Sequence, residues 1–303
     1  MGHDRSPSPS HNHTPASYGL AFAIGITLNL AFVILEVIYG RLSNSLALVA
    51  DAGHNFTDVL GLGLAWGAMW LAKRGPTNER TYGFRRSSIL AALFNAVVLL
   101  IGVGAIAWEA IIRLGAPGLV EETTVIWVAT VGILINGGTA LLFMSGSKGD
   151  LNIRGAFVHL ASDAAIALGV VIAGFAMLKT GWLWIDPFVS LVIVALITYG
   201  TWGLLRESVN LVLDKVPEGI DIDKVKDYLA TLPTCTDVHD LHIWGMSTTE
   251  AALTAHVVLD KSICDDALLA KTAKDLHDKF GIEHTTLQVE LGDPAYPCRC
   301  RLI

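Results

Sequence analysis

The stretch Ser43-Asn-Ser-Leu-Ala-Leu-Val-Ala-Asp51-Ala-Gly-His54-Asn-Phe-Thr-Asp58 decides how this chain is read. From Leu46 it opens an apolar run that continues to Leu71. That is enough to cross a bilayer, which takes about 20 helical residues. A histidine and, four residues on, an aspartate are set into the run, so both side chains lie on one face, about one turn apart. The spacing returns in His159-Leu-Ala-Ser-Asp163, inside the apolar stretch Ala156–Leu178. His54 and His159 are the only histidines between Tyr18 and Glu207. Ionisable groups in hydrocarbon are costly and mark function by default. Two such helices facing each other would offer two imidazoles and two carboxylates, a closed tetrahedral set for Zn2+. The plainer alternative pairs each histidine with its own aspartate to steady a helix. In hydrocarbon that alternative loses force, because an ion pair without a task costs more than an apolar residue.

The rest of the chain extends this reading. Apolar stretches recur at Leu20–Tyr39, Leu46–Leu71, Ile89–Ile112, Val125–Phe143, Ala156–Leu178 and Trp182–Leu205, each about one span long. Over 303 residues, 52% are hydrophobic and only 16% charged, and the mean hydropathy is +0.53. Soluble domains carry about 25% charge, which argues against an ordinary soluble enzyme and against disorder. Residues 1–207 hold 12 basic and 12 acidic side chains, whereas 208–303 hold 9 and 16. The whole net charge of −7 therefore sits in the last part. A membrane body (18–207), after a polar, Ser/Pro/His-rich tail (1–17) expected to be disordered, is followed by a soluble acidic domain (208–303). Acidity there disfavours nucleic acid and suits cations. The N-terminus lacks the pattern of a cleaved signal peptide.

Basic residues orient the spans. Lys73, Arg74, Arg80, Arg85 and Arg86 follow the second span, and Lys148 and Arg154 follow the fourth. Arg41, Arg113 and Lys179 stand alone in the other connections. The positive-inside rule puts the richer loops, and with six spans both termini, in the cytoplasm. The paired His-x-x-x-Asp motifs sit on the middle helix of each three-span half, which suggests an inverted repeat.

The soluble part reads as α-β-β-α-β: helix Asp221–Leu232, strands Val238–Trp244 and Ala251–Leu259, helix Asp265–Phe280 stopped by Gly281, and strand Thr285–Leu291. The expected fold is therefore a membrane all-α, six-helix transporter bundle with a small cytoplasmic α+β domain of ferredoxin-like type.

Further polar groups lie in the spans. Asn29, Glu36, Asn95 and Asn136 read as interhelical hydrogen-bonding groups. Glu109 and Asp186 sit near span ends, within reach of the interface. Asp51, three residues before His54, either caps or bonds a neighbouring helix or forms a further proton or metal stop.

Electrostatics suggest how the paired site would work. Two carboxylates cancel the charge of a divalent ion. Emptying the site leaves two anions in low dielectric, which take up protons. Metal moving out as protons move in is metal/proton antiport.

The stretch from Ser43 to Asp58, with Tyr82-Gly-Phe-Arg-Arg, His159-x-x-x-Asp163 and Val238-His-Asp-Leu-His-Ile-Trp244, resembles the cation diffusion facilitator family, over about Tyr18 to Leu291. The likeness is closest to its zinc-transporter branch. It implies homodimeric divalent-metal/proton antiporters with six spans and a cytoplasmic ferredoxin-like domain. It also implies that His54, Asp58, His159 and Asp163 form the transport site for Zn2+. Co2+ and Cd2+ are further candidates, and nitrogen-oxygen ligation suits Co2+ better than the softer Cd2+. The short connection after the fourth span points to a bacterial inner membrane. This chain lacks the His-rich loop some members have there. With no histidine in 73–86, no metal site is expected in that loop.

In the family the cytoplasmic domain binds metal at the dimer junction, and His239, His256 and Glu290 match that site. His242, of opposite strand parity to His239, is expected on the other face. Cys298 and Cys300 could both reach a soft cation or form a reduced, frayed tail. His11 and His13 could add ligands or only concentrate metal weakly.

Two other functions compete with transport. A membrane metalloenzyme needs an open metal position and a general base, but the usual His-Glu-x-x-His is absent and four protein ligands leave no position for water. A metal sensor would use the soluble domain, but has no need of a charged site inside six spans.

Overall fold

The computed structural model describes residues 19–144, 151–259 and 265–292. Long helices come first: α1 (Gly19–Leu42), α2 (Leu46–Ala72), α3 (Ser87–Gly115), α4 (Glu122–Met144), α5 (Leu151–Thr180) and α6 (Ile185–Val212). Then follow α7 (Ile222–Ala230), β1 (Asp237–Gly245), β2 (Ala251–Val258), α8 (Asp266–Phe280) and β3 (Ile282–Glu290). Among the described residues, four helices are long and apolar enough to cross a membrane: α3, α4, α5 from Phe157, and α6. In α2 the apolar run is interrupted by Asp51, His54, Asn55, Thr57 and Asp58.

The chain forms two compact units. One is built from residues up to Val59 and from Val103–Ala195, the other from Leu60–Gly102 and from Leu196 onward.

In the first unit small residues set the helix spacing. A side chain at Gly132 on α4 would meet the Phe32 ring at 2.6 Å, and one at Gly174 on α5 would meet Ile126 at 2.7 Å. Such positions let helices approach closely where lipid supplies no hydrophobic drive. Hydroxyls bond back into their own helices: Thr130 donates to Ile126 O (2.6 Å), Thr139 to Ile135 O (2.6 Å) and Ser190 to Asp186 O (2.7 Å). A hydroxyl with no water beside it must find its acceptor inside the protein. Asn44, at φ 55, turns the chain from α1 into α2. Its amide donates to Leu119 O, and Arg113 donates to its carbonyl and side-chain oxygens.

In the second unit, two ion pairs join the α2–α3 connection to elements further along. Arg85 meets Glu250 at 3.0 Å, and Arg86 meets Asp214, just past α6, at 2.6 Å. Exposed pairs of this kind contribute at most about 1 kcal/mol each.

The small α+β part of that unit has a three-stranded sheet in the order β1-β2-β3, with β1 and β2 antiparallel and β2 and β3 parallel. Val225 and Leu229 of α7 and Leu276 of α8 pack on Val238, Ile243, Leu253, Ala255 and Ile282. Asp221 caps α7 by accepting from Asp223 N and Lys224 N. Asp265 caps α8, and Gly281, at φ 68, ends it in the left-handed conformation that glycine adopts without strain. The other face of the sheet carries His256 and Thr254 beside the buried Ala252 and Val258.

The Tyr228 hydroxyl donates to Asp275 at 2.8 Å and ties α7 to α8. Burial, then the Asp275 carboxylate, pushes the Tyr228 phenol up to about 12. The same hydrogen bond, helped by Lys279, holds the Asp275 carboxyl below the usual range. A raised value means folding favours the protonated phenol, so that contribution is whole below about pH 10 and lost as pH rises through about 12. A lowered value means folding favours the carboxylate, so its contribution is whole above about pH 3.9 and lost on acidification. Tyr228→Phe is expected to flatten the melting temperature of the metal-free protein at both pH extremes. Unchanged profiles would show that the bond does not act in solution.

Candidate functional site

α2 and α5 bring their motifs together within the first unit. His54 Nε2 lies 3.7 Å from Asp58 Oδ2 and 3.6 Å from Asp163 Oδ1. His159 Nε2 lies 3.5 Å from Asp58 Oδ2 and 3.6 Å from Asp163 Oδ2. Each carboxylate thus faces both imidazoles, and the rings stand 6.2 Å apart at 80°. These separations exceed an ordinary hydrogen bond of about 2.7–3.2 Å. They are close to the edge of a tetrahedron drawn with metal bonds of about 2.0–2.2 Å, an edge of about 3.3–3.6 Å. Asp58 Oδ2, Asp163 Oδ2 and His54 Nδ1 are buried without a hydrogen-bond partner. Asp58, His159 and Asp163 offer ligand atoms all within 4.8 Å of one another. The pairing of each histidine only with its own aspartate is not what the side chains adopt.

One turn along α2 a second buried polar group begins. Asn55 donates to Glu36 of α1 at 3.1 Å, the interhelical bond expected of Glu36. Glu36 Oε1 and Asp51 Oδ1 are buried without hydrogen-bond partners, as are Asn29, Asn95 and Asn136 at their Oδ1 atoms. Asp51 lies within α2, which starts at Leu46, and its carboxyl faces that of Glu36 on the neighbouring α1.

Glu109 is half-exposed and bonds Arg113, as a residue near a span end can. Asp186 differs. It is 1% exposed. Its carboxylate accepts from Ser45 Oγ, from Leu46 N at 2.7 Å and from Ala47 N at 3.4 Å. Instead of reaching an interface, it caps α2 from the start of α6. Helix N-terminal N–H groups have no partner within their own helix, and an anion there also meets the positive end of the dipole.

A second cluster lies on the helix-free face of the sheet. His239 pairs across the ladder with His256, their rings 5.4 Å apart. Glu290, at the end of β3, reaches both: its Oε2 is 3.4 Å from His239 Nε2 and its Oε1 is 2.9 Å from His256 Nδ1. Gln288 donates to that carboxylate at 3.2 Å. The three ligand atoms fall within 4.8 Å of one another. Both ring nitrogens of His239 are buried without a hydrogen-bond partner. His239 Nδ1 lies 3.3 Å from Asp237 Oδ2, and the two-nitrogen, one-carboxylate set of His239, His256 and Glu290 fits Zn2+.

The expected placement of His242 is corrected. Strand parity would put it opposite His239. The register slips between the two, so that His239 faces His256 and His242 faces Thr254. Asp240, at φ 50, is in the slipped segment. An extra residue of this kind reverses the parity beyond it. Val238 and Ile243, five apart, are accordingly both in the core, and His242 joins the face of His239.

Asp240 itself was not anticipated. It touches both His242 (3.0 Å) and His256 (3.4 Å). A strand aspartate two residues before a histidine was the available signal. His277 and His284 are exposed, as expected of surface residues. Cys235 is half-buried, and burial pushes its thiol up. His11, His13, Cys264, Cys298 and Cys300 lie outside the described residues.

Residues 22–213 match the model of the cation efflux transmembrane domain, and 217–291 that of the cation efflux protein cytoplasmic domain. The chain belongs to the cation efflux family, also called the cation diffusion facilitators. Among its relatives, the cation efflux system protein CzcD of Alcaligenes sp. (strain CT14) is 37% identical over 95% of this chain and 90% of its own. The zinc transporter ZitB of Escherichia coli K12 is 35% identical over 97% and 95%. The cadmium, cobalt and zinc/H(+)-K(+) antiporter of Bacillus subtilis is 32% identical over 92% and 91%. A solved metal-bound C-terminal domain of CzcD from Cupriavidus metallidurans is 37% identical over 24% of this chain and all of its own, with a TM-score of 0.23.

Proposed function

We propose that this cation efflux protein exports Zn2+ from the cytoplasm in exchange for protons, with the ion held by His54, Asp58, His159 and Asp163. The observation that carries the reading is the set of four N–O separations of 3.5–3.7 Å between the two motifs. Each of the four groups supplies one ligand atom, and the two carboxylates balance the ion's charge. When the ion leaves, protons replace it, since two bare carboxylates facing each other in a low dielectric are costly. The antiporter relative from Bacillus subtilis supports the exchange, and its name adds Cd2+ and Co2+ as further cargo.

The working topology has six spans, both termini in the cytoplasm, and a bacterial inner membrane as its location. The helical body takes residues 18–207. The ferredoxin-like cytoplasmic domain takes 208–303 and includes the last turn of α6. That domain pairs two copies of the chain. There His239, His256 and Glu290 hold a regulatory or stabilising Zn2+, with Cys298, Cys300, His11 and His13 as further candidate ligands.

The test is Zn2+ flux into proteoliposomes with and without an imposed pH gradient. Antiport predicts that flux rises with the gradient and that protons move oppositely. Flux indifferent to the gradient would sink the exchange. Binding without any flux would favour a membrane metal sensor, which the His239–His256–Glu290 cluster could serve.

A further inference from the structure

Two aspartates of β1 touch the cytoplasmic cluster outside its ligand set: Asp237, 3.3 Å from His239 Nδ1, and Asp240, which the backbone strains to place. Asp240 has φ 50 in the middle of a strand. Non-glycine residues visit that region at a cost and do so most readily as Asn or Asp. Such strain persists where the surroundings over-determine it, and it clusters at functional sites. The result is specific. One carboxylate oxygen, Oδ1, bonds His242 Nε2 at 3.0 Å, and the other, Oδ2, lies 3.4 Å from His256 Nε2. On the far side of the same ring, His256 Nδ1 is 2.9 Å from Glu290 Oε1. His256 thus stands between two carboxylates, one per nitrogen.

A neutral imidazole has one N–H and one lone pair, and the group beside one nitrogen decides which it is. Metal-bound histidines almost always donate the other ring N–H to a carboxylate or carbonyl, which fixes tautomer and ring angle. Glu290 is shared with His239 Nε2 at 3.4 Å, so the Glu290 side is the metal side. We propose that Asp240 is a positioning residue of the cytoplasmic centre: with metal bound it closes from 3.4 Å to accept a hydrogen bond from the Nε2–H of His256, and so keeps the Nδ1 lone pair toward the metal beside Glu290 and His239. His242, half-exposed, steadies the other oxygen of Asp240. The bulge is what permits this, because regular pleating would send the residue after His239 to the core face. The inference rests on the reading that His239, His256 and Glu290 hold metal.

Asp240→Asn is the informative variant. Asn tolerates the same backbone, but it lacks the charge and its amide donates as well as accepts, so it no longer holds the Nε2–H in place. The full chain in nanodiscs, carrying Asp163→Ala to remove the membrane site, is titrated with Zn2+ against a chelator. Its histidines are 15N-labelled and read by NMR in the Zn2+-loaded form. The unmodified Asp240 form is expected to show a His256 Nε2–H protected from exchange with water. Asp240→Asn is expected to lose that protection and to weaken Zn2+ by about 10–100-fold at unchanged stoichiometry. His256→Ala is expected to lose the site. Unchanged affinity and protection in Asp240→Asn would overturn the proposal. So would the loss of a whole Zn2+ equivalent, which would make Asp240 a ligand. Full affinity in His256→Ala would sink the metal reading itself, and the positioning role with it.

Discussion

Asp163→Ala is expected to abolish gradient-driven Zn2+ flux while leaving Zn2+ binding by the cytoplasmic cluster intact. Asp163 is 1% exposed, and its two oxygens face different imidazoles, each at 3.6 Å. It therefore touches both histidines, His54 of α2 and His159 of its own helix. Without it the loaded site would hold two imidazoles, one carboxylate and an uncompensated positive charge, buried where a single charge is worth several kcal/mol. Disturbing only an outer-shell partner of a metal site costs about 10–100-fold, so losing a ligand and its charge together should cost at least that much. Asp163→Asn keeps the shape but not the charge and should fail similarly. The retained cytoplasmic site reports that the protein has folded. Flux persisting in Asp163→Ala would place the transport site elsewhere.

How far the sequence carried this reading varies by element. The long helices were legible because hydropathy marks them, but their ends were not. α6 runs to Val212 because its last turns, with Arg206 and Glu207, are polar and still helical. β3 begins at Ile282, before the expected Thr285. Gly281 reverses the chain at once, so Ile282 enters the core directly. The motif pair was legible because helical period alone places His54 with Asp58 and His159 with Asp163. That the two helices face each other was an assumption which only the packing could supply. The slip at Asp240 was hidden, since strand parity presumes an unbroken pleat. The five-residue step from Val238 to Ile243, both apolar, carried the hint. Asp186 was not legible because nearness to a span end does not fix nearness to water: its partners are the buried donors at the start of α2.

Asp186→Ala should therefore damage the fold more than the chemistry. Its carboxylate is the acceptor for Leu46 N, Ala47 N and the Ser45 hydroxyl, and all of these are deep in the first unit. Removing it orphans donors at the start of α2. Each unsatisfied buried donor costs about 1–3 kcal/mol, and loss of a cap costs about 0.5–2 kcal/mol. The variant is expected to melt well below the unmodified protein. Asp186→Asn, which keeps an oxygen acceptor without the charge, should fall between. His54 lies eight residues beyond Leu46, about 12 Å along the helix, so a frayed start would also loosen the proposed transport site and weaken flux. The two effects should move together across the variants. An Asp186→Ala protein that melts normally yet carries no Zn2+ would separate them, and would make Asp186 part of the ion's path and not the anchor of α2.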